Sequence, residues 1–126
     1  MHVDRQQNMD TATYGLLIRV DRKDLMVPWT DIVCFEIEDN YIKIFTLNES
    51  RPYLTKGCLK DIELLLPSRD FCRVHRSYIV GLRHIRHIYP DLVNLGTREV
   101  PLAKVHTPTL KSRFSSIRPL SHSYPF

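Results

Sequence analysis

Short runs rich in Val, Ile, Phe and Tyr, each closed by a turn signal, constrain this chain more than any other feature. GLLIRV, DLMVPW, DIVCFEIE, YIKIFTL, RPYL, SYIV, DLVNL and REVPL are punctuated by DRKD, EDN, LNES and LGT. Runs of this length and composition between turn residues are strands, so the chain is β-rich. In IVCFEIE, Ile32, Cys34 and the other even positions oppose Val33, Phe35 and Ile37; in YIKIFTL, Ile42, Ile44 and Thr46 oppose Tyr41, Lys43 and Phe45. This period of two suits antiparallel strands joined by the turn Glu38-Asp39-Asn40. One segment changes period. Leu59, Ile62, Leu65 and Leu66 recur at helical spacing, with Gly57 or Thr55 to start a helix and Pro67 to stop it. A single short helix over about 57–66 is expected, its apolar stripe in the core and Lys60, Asp61 and Glu63 facing solvent.

A chain of 126 residues fits one domain with a modest core. Residues 1–13 lack periodic apolar positions, and SSIRPLSHSYPF at 115–126 is rich in Pro and Ser. The expected organisation is therefore a folded body over 14–114 between two flexible segments, 1–13 and 115–126. So short a leading segment leaves no room for a phosphoacceptor receiver domain, and the expectation is either a fragment of a longer regulator or control through abundance or a partner. Neither a membrane-length apolar run nor a signal-peptide pattern occurs, so a cytoplasmic protein without membrane contact is expected. Cys34, Cys58 and Cys72 have neither redox-pair nor zinc-site spacing, and all three read as small buried residues.

Charge is unevenly placed. Residues 15–70 carry eight Lys or Arg against ten Asp or Glu, whereas residues 71–114 carry eight against two. A basic half of this kind is the footprint of a polyanion-binding surface, or of a solvated face without a ligand. Between Phe71 and Pro90 there are four arginines, three histidines and no acid. Alternation holds through Cys72 and Val74 against Arg73 and His75, then breaks at Arg76, where an inward residue is due. A bulge or edge loop there would turn His75 and Arg76 outward together. Arg offers a planar fork suited to phosphate or guanine, and His and Ser add compact donors, so the mixture suits nucleic acid better than a small substrate.

The succession DIVCFEIEDNYIKIFT, LKDIELLLPSRDF, RVHRSYIVGLRHIRHI, VNL and REVPLAK resembles the LytTR-type DNA-binding domain of bacterial transcription regulators, over roughly Asp24 to Phe114. The string F-x-R-V-H-R-S-Y-I-V after a Leu-rich helix ending in Pro is the specific part. The resemblance implies a stack of small, mostly antiparallel sheets with little helix, and loops that enter successive major grooves of duplex DNA. It assigns base reading to Tyr41, to Arg76 with His75 beside it, and to Lys104; sugar-phosphate contacts are expected of Asn40, Lys43, Arg73, Ser77, Arg83 and Arg86. Two positions depart from the family pattern: Gly81 stands where Asn is usual, and Ala103-Lys104 where Ser-Arg is common. Lys is a point charge without the bidentate fork of Arg, which weakens readout at that third loop.

Other chemistry finds less support. His84 and His87 form HxxH without a third spaced ligand, so no metal or other cofactor is expected. Arg69 and Arg73 match half of the motif by which PilZ-like barrels hold cyclic dinucleotides; the other half is absent. No catalytic constellation appears, and Ser77 beside His75 is better placed to bond phosphate, so neither an enzyme nor a small-molecule substrate is expected. The expectation is a bacterial transcription regulator that binds duplex DNA, with possible homodimers on repeated sites. The alternative is a LytTR-derived protein-interaction module that modulates another regulator and binds DNA weakly.

Overall fold

The computed structural model describes residues 14–117. The leading segment 1–13 and the end of the tail, 118–126, lie outside the described residues; residues 115–117 carry no regular element. The described residues form three antiparallel sheets. β1 (Gly15–Val20) and β2 (Lys23–Pro28) make a two-stranded ribbon. Its turn residues Asp21 and Arg22 both have positive φ, 50° and 69°, which matches the right-handed strand twist of a two-residue hairpin. A 3-10 turn, Trp29–Asp31, leads into the central sheet, whose strand order is β5-β4-β3-β7-β6. Its members are β3 (Ile32–Glu38), β4 (Tyr41–Thr46), β5 (Tyr53–Lys56), β6 (Phe71–His75) and β7 (Tyr78–Gly81). Helix α1 (Leu59–Leu65) separates β5 from β6. After a 3-10 turn at Leu82–His84, the strands β8 (His87–Ile88), β9 (Leu92–Asn94) and β10 (Glu99–Pro101) form the third sheet. A 3-10 turn, Lys104–His106, runs directly into α2 (Thr107–Lys111).

The central sheet is covered on both faces, and that explains why β3 departs from strict alternation. Ile32, Val33, Cys34 and Phe35 are all buried. Ile32 and Phe35 join a core with Ile18, Val27, Trp29, Ile42, Ile44, Leu59, Ile62, Leu66, Phe71 and Ile79. Val33 and Cys34 belong instead to a second core with Cys72, Val74, Val80, Val93, Leu95, Val100, Leu102 and Leu110. A register shift between Ile32 and Cys34 against β4 reorders the faces. The extra residue of a bulge does this by letting two neighbours on one strand oppose one on the other. β4 keeps its period of two, with Ile42 and Ile44 buried.

The helix corrects three expectations. It is shorter than 57–66, because Gly57, at φ 149°, is the hinge that ends β5, and Cys58 is its N-cap. Leu66 has left the helix with ψ 144°, as the residue before Pro67 must, yet remains in the core. Leu65 was expected in the core stripe and is 61% exposed. At 100° per residue it lies about 90° off the line through Leu59, Ile62 and Leu66. With Leu64, Tyr14, Leu17 and Met26 it lines a shallow apolar groove between α1 and the β1-β2 ribbon. Cys58, at the helix N-cap, is exposed rather than buried, whereas Cys34 and Cys72 are interior. Burial pushes the Cys34 thiol up to about 12 and also raises that of Cys72. The second helix, α2, was not expected from the sequence; it closes the second core with Leu110.

Candidate nucleic-acid interface

The β6-β7 connection departs from the expected bulge at Arg76: the irregularity lies earlier, and only Arg76, not His75, turns outward. The pairing of β6 with β7 shifts register between Arg73 and His75, so the strand turns over before the two-residue connection Arg76-Ser77. Arg76 is exposed, while His75 is half-buried and tied into the turn. The Ser77 N–H donates to His75 Nδ1 at 3.0 Å, and the His75 ring meets Tyr78 edge-on with centroids 5.8 Å apart. Since Nδ1 accepts, the neutral ring carries its proton on Nε2. Burial, then the charges of Arg76, His106 and Arg73, hold the His75 pKa below its ordinary value. His75 thus shapes the turn, and Arg76 is the side chain that leaves it.

Two other segments arrive at the same end of the central sheet. β3 pairs with β7 through Glu36 and Tyr78, and the Ile37 N–H donates to Ser77 O at 2.9 Å, so the Asp39-Asn40 turn stands beside Arg76-Ser77. Asp39 has φ 57°, a conformation Asp tolerates in tight hairpins. Asn40 O accepts from the Gly57 N–H at 2.9 Å, and Tyr41 pairs across to Lys56, a cation at this end that the sequence reading missed. Tyr41 is 46% exposed. Lys43 forms an ion pair with Glu38, whose hydrogen bond is the main reason that the Lys43 pKa is raised. The third segment is pinned by the Ala103 N–H, which donates to Val74 O at 2.8 Å, one residue before His75. Leu102 is buried behind it, and Lys104 is exposed. Tyr41, His75, Arg76 and Lys104 are therefore brought to one end by three different connections.

Arg83 and Arg86 are not brought there. β7 runs away from the Arg76-Ser77 turn, and Gly81 pairs with Phe71 at the start of β6. A Cβ at Gly81 would meet Ile32 O at 2.7 Å, so the strand and the segment before β3 pack too closely here for a side chain without a shift. His84 Nε2–H donates to Thr30 O at 2.9 Å, strapping the Leu82–His84 turn to the first 3-10 turn. Arg73 is also occupied: Nη1 donates to Glu63 Oε1 at 3.0 Å, Nε to His75 O at 2.9 Å, and Nη2 to Arg76 O at 2.6 Å. Two further arginines had no role in the sequence reading. Arg113 donates to the backbone oxygens of Phe71 and Ser68, fastening the end of α2 to β6, and the Arg98 guanidinium lies 3.6 Å over the Phe45 ring. Contacts of this kind join residues far apart in the chain, so no local spacing announces them. Among the described residues no group of three or more His, Cys, Asp or Glu could hold a metal ion. No helix among them is long and apolar enough to cross a membrane.

Comparison with known proteins covers most of the described body. A family model described as the LytTr DNA-binding domain matches residues 22–115. The sensory transduction protein LytT of Bacillus subtilis is 29% identical over 115 residues, covering 86% of this chain and 47% of LytT. The heme-containing CO-sensing transcriptional regulator RcoM 2 of Paraburkholderia xenovorans is 34% identical over 94 residues, 69% of this chain and 34% of its own length. The transcriptional regulatory protein YpdB of Escherichia coli K12 is 29% identical, covering 81% of this chain and 41% of YpdB. The chain thus spans less than half the length of these relatives. A solved LytTr DNA-binding domain from Bacillus cereus superposes with a TM-score of 0.70 at 24% identity, covering 81% of this chain and 97% of that one.

Proposed function

This chain belongs to the LytTr DNA-binding domain family, and on that premise we propose that it reads duplex DNA sequence-specifically as a bacterial transcription regulator. The observation that supports this most is the convergence of the Asp39-Asn40 turn, the Arg76-Ser77 turn and the Ala103-Lys104 segment at one end of the central sheet. Projecting connections on a rigid sheet can enter successive grooves, with Arg76, beside the ring of His75, and Tyr41 facing base edges and Lys104 adding a cation. Asn40 and Ser77 flank the two turns and are suited to phosphate, as is the part of Lys43 that Glu38 leaves uncovered. Arg83 and Arg86, at the far end of β7, are at most peripheral phosphate contacts. Pairs of molecules on repeated sites remain part of the proposal.

The test is selection of sites from random duplex DNA, followed by titration at several salt concentrations. Micromolar or tighter binding is expected, with a slope of about −0.9 per neutralised phosphate in log K against log salt. A domain that modulates another regulator through protein contacts would instead bind duplex DNA weakly and enrich no sequence in the selection.

A further inference from the structure

Glu63 stands on α1 within 3.0 Å of the Arg73 guanidinium, and an acid beside a basic segment opposes polyanion binding by its charge. Its contact explains the placement. Arg73 grips Glu63 with one edge of its guanidinium and two successive turn carbonyls, those of His75 and Arg76, with the others. The register shift lies just before the turn, where His75 makes the last β6 pair with Tyr78 and Arg76 stands in the connection, so both carbonyls are at the end of the ladder. A guanidinium is a rigid planar fork, so one side chain sets the relative placement of both peptide groups, and hence the direction in which Arg76 leaves the backbone. Glu63 fixes the fork to the helix. The Arg73 and Glu63 side chains are 25% and 41% exposed, and an ion pair at such exposure adds little to global stability.

We propose that Glu63 and Arg73 form a bracket that positions the His75–Ser77 turn for base reading, which makes Glu63 a specificity-determining residue that never touches DNA. This deepens the function proposed above and rests on it. Arg73 then acts mainly through the turn, with three of the five N–H donors of a guanidinium engaged inside the protein.

The test titrates Glu63→Ala, Glu63→Gln, Arg73→Lys and Arg76→Ala against a selected duplex and a scrambled one. Glu63→Ala is expected to weaken the selected duplex roughly tenfold, the loss of about one good base contact, while the scrambled duplex binds as before or tighter because an acid is gone. Arg73→Lys keeps the charge without the fork and is expected to narrow the ratio equally; Glu63→Gln, whose amide oxygen still accepts, retains most of it. Hydrogen exchange in free Glu63→Ala is expected to speed at the Ser77 and Ile37 amides and to stay slow at Val80. The bracket is overturned if Glu63→Ala leaves the ratio unchanged or leaves those amides as slow as in the parent, or if Arg73→Lys discriminates like the parent. Arg76→Ala separates the two levels. If it fails to narrow the ratio, base reading by this turn falls and the bracket with it; if it narrows the ratio and Glu63→Ala does not, the bracket alone falls.

Discussion

Strand β7 carries a basic cluster at each end, Arg73, His75 and Arg76 before it and Arg83, His84 and Arg86 after it. In composition the two are nearly the same; in the fold they differ in what surrounds them. At the first end the histidine shapes a turn through Ser77, and the exposed Arg76 shares its surroundings with the Asp39-Asn40 turn and the Lys104 segment. At the second end the histidine is a strap to Thr30, and Arg83 borders a crevice shared with Asp70, Trp29 and Phe71. Basic residues become a candidate interface where several connections converge, and remain local fasteners or solvated charge where they do not.

The largest expected effect tests what both ends share. Ile79 in β7 is 1% exposed, and Ile79→Ala should cost about 2–5 kcal/mol through the cavity it leaves. Urea unfolding measures it, and a cost below about 1 kcal/mol would mean that β7 is not the common support. The next effect separates the ends. Arg76→Ala should cost about 1–3 kcal/mol on a selected duplex and much less on a scrambled one, whereas Arg83→Ala and Arg86→Ala should each change the selected affinity by less than about 0.5 kcal/mol. A drop of about one unit in the salt slope for either remote variant would show that the far end also reaches phosphate.

The smallest effect is in pH. Burial is the leading cause that lowers the pKa of both His75 and His84 from the ordinary 6.5, with Thr30 partly opposing it at His84. The unfolded chain therefore takes up protons first as pH falls, so the stability contributed by the neutral rings is complete above about 6.5 and is lost as pH drops through the folded values. Thermal unfolding between pH 7.5 and 5.5 should show a falling midpoint, and His84→Gln should flatten it. An unchanged slope in that variant would remove His84 as a strap that must stay neutral.

The strands were legible because a half-buried strand has a period of two that survives in sequence, as Ile42 and Ile44 against Tyr41 and Lys43 show. The break at Arg76 was legible because the strand ends there, but the register shift itself falls earlier, between Arg73 and His75, where the sequence still alternates. β3 misled because a strand covered on both faces needs apolar residues at consecutive positions, and Val33 and Cys34 looked like ordinary alternation. Leu65 misled because a short helix offers too few turns to fix its buried line, and two Leu positions flank it equally well in sequence. α2 was missed because TPTLK is one turn with a proline near its start and a single buried side chain, Leu110.

By itself the sequence determined the β-rich class, the place of the main helix, the basic half and the family string around Arg76, because each is written in neighbouring residues. Only the tertiary structure decided which basic residues meet. That Lys104 approaches the Arg76 end depends on one backbone bond from Ala103 to Val74, that Arg83 is remote depends on the direction of β7, and that Arg73 is engaged depends on Glu63 ten positions before it. These relations are set by how strands pair and layers stack, and pairing between distant segments leaves no periodicity for a local pattern to carry.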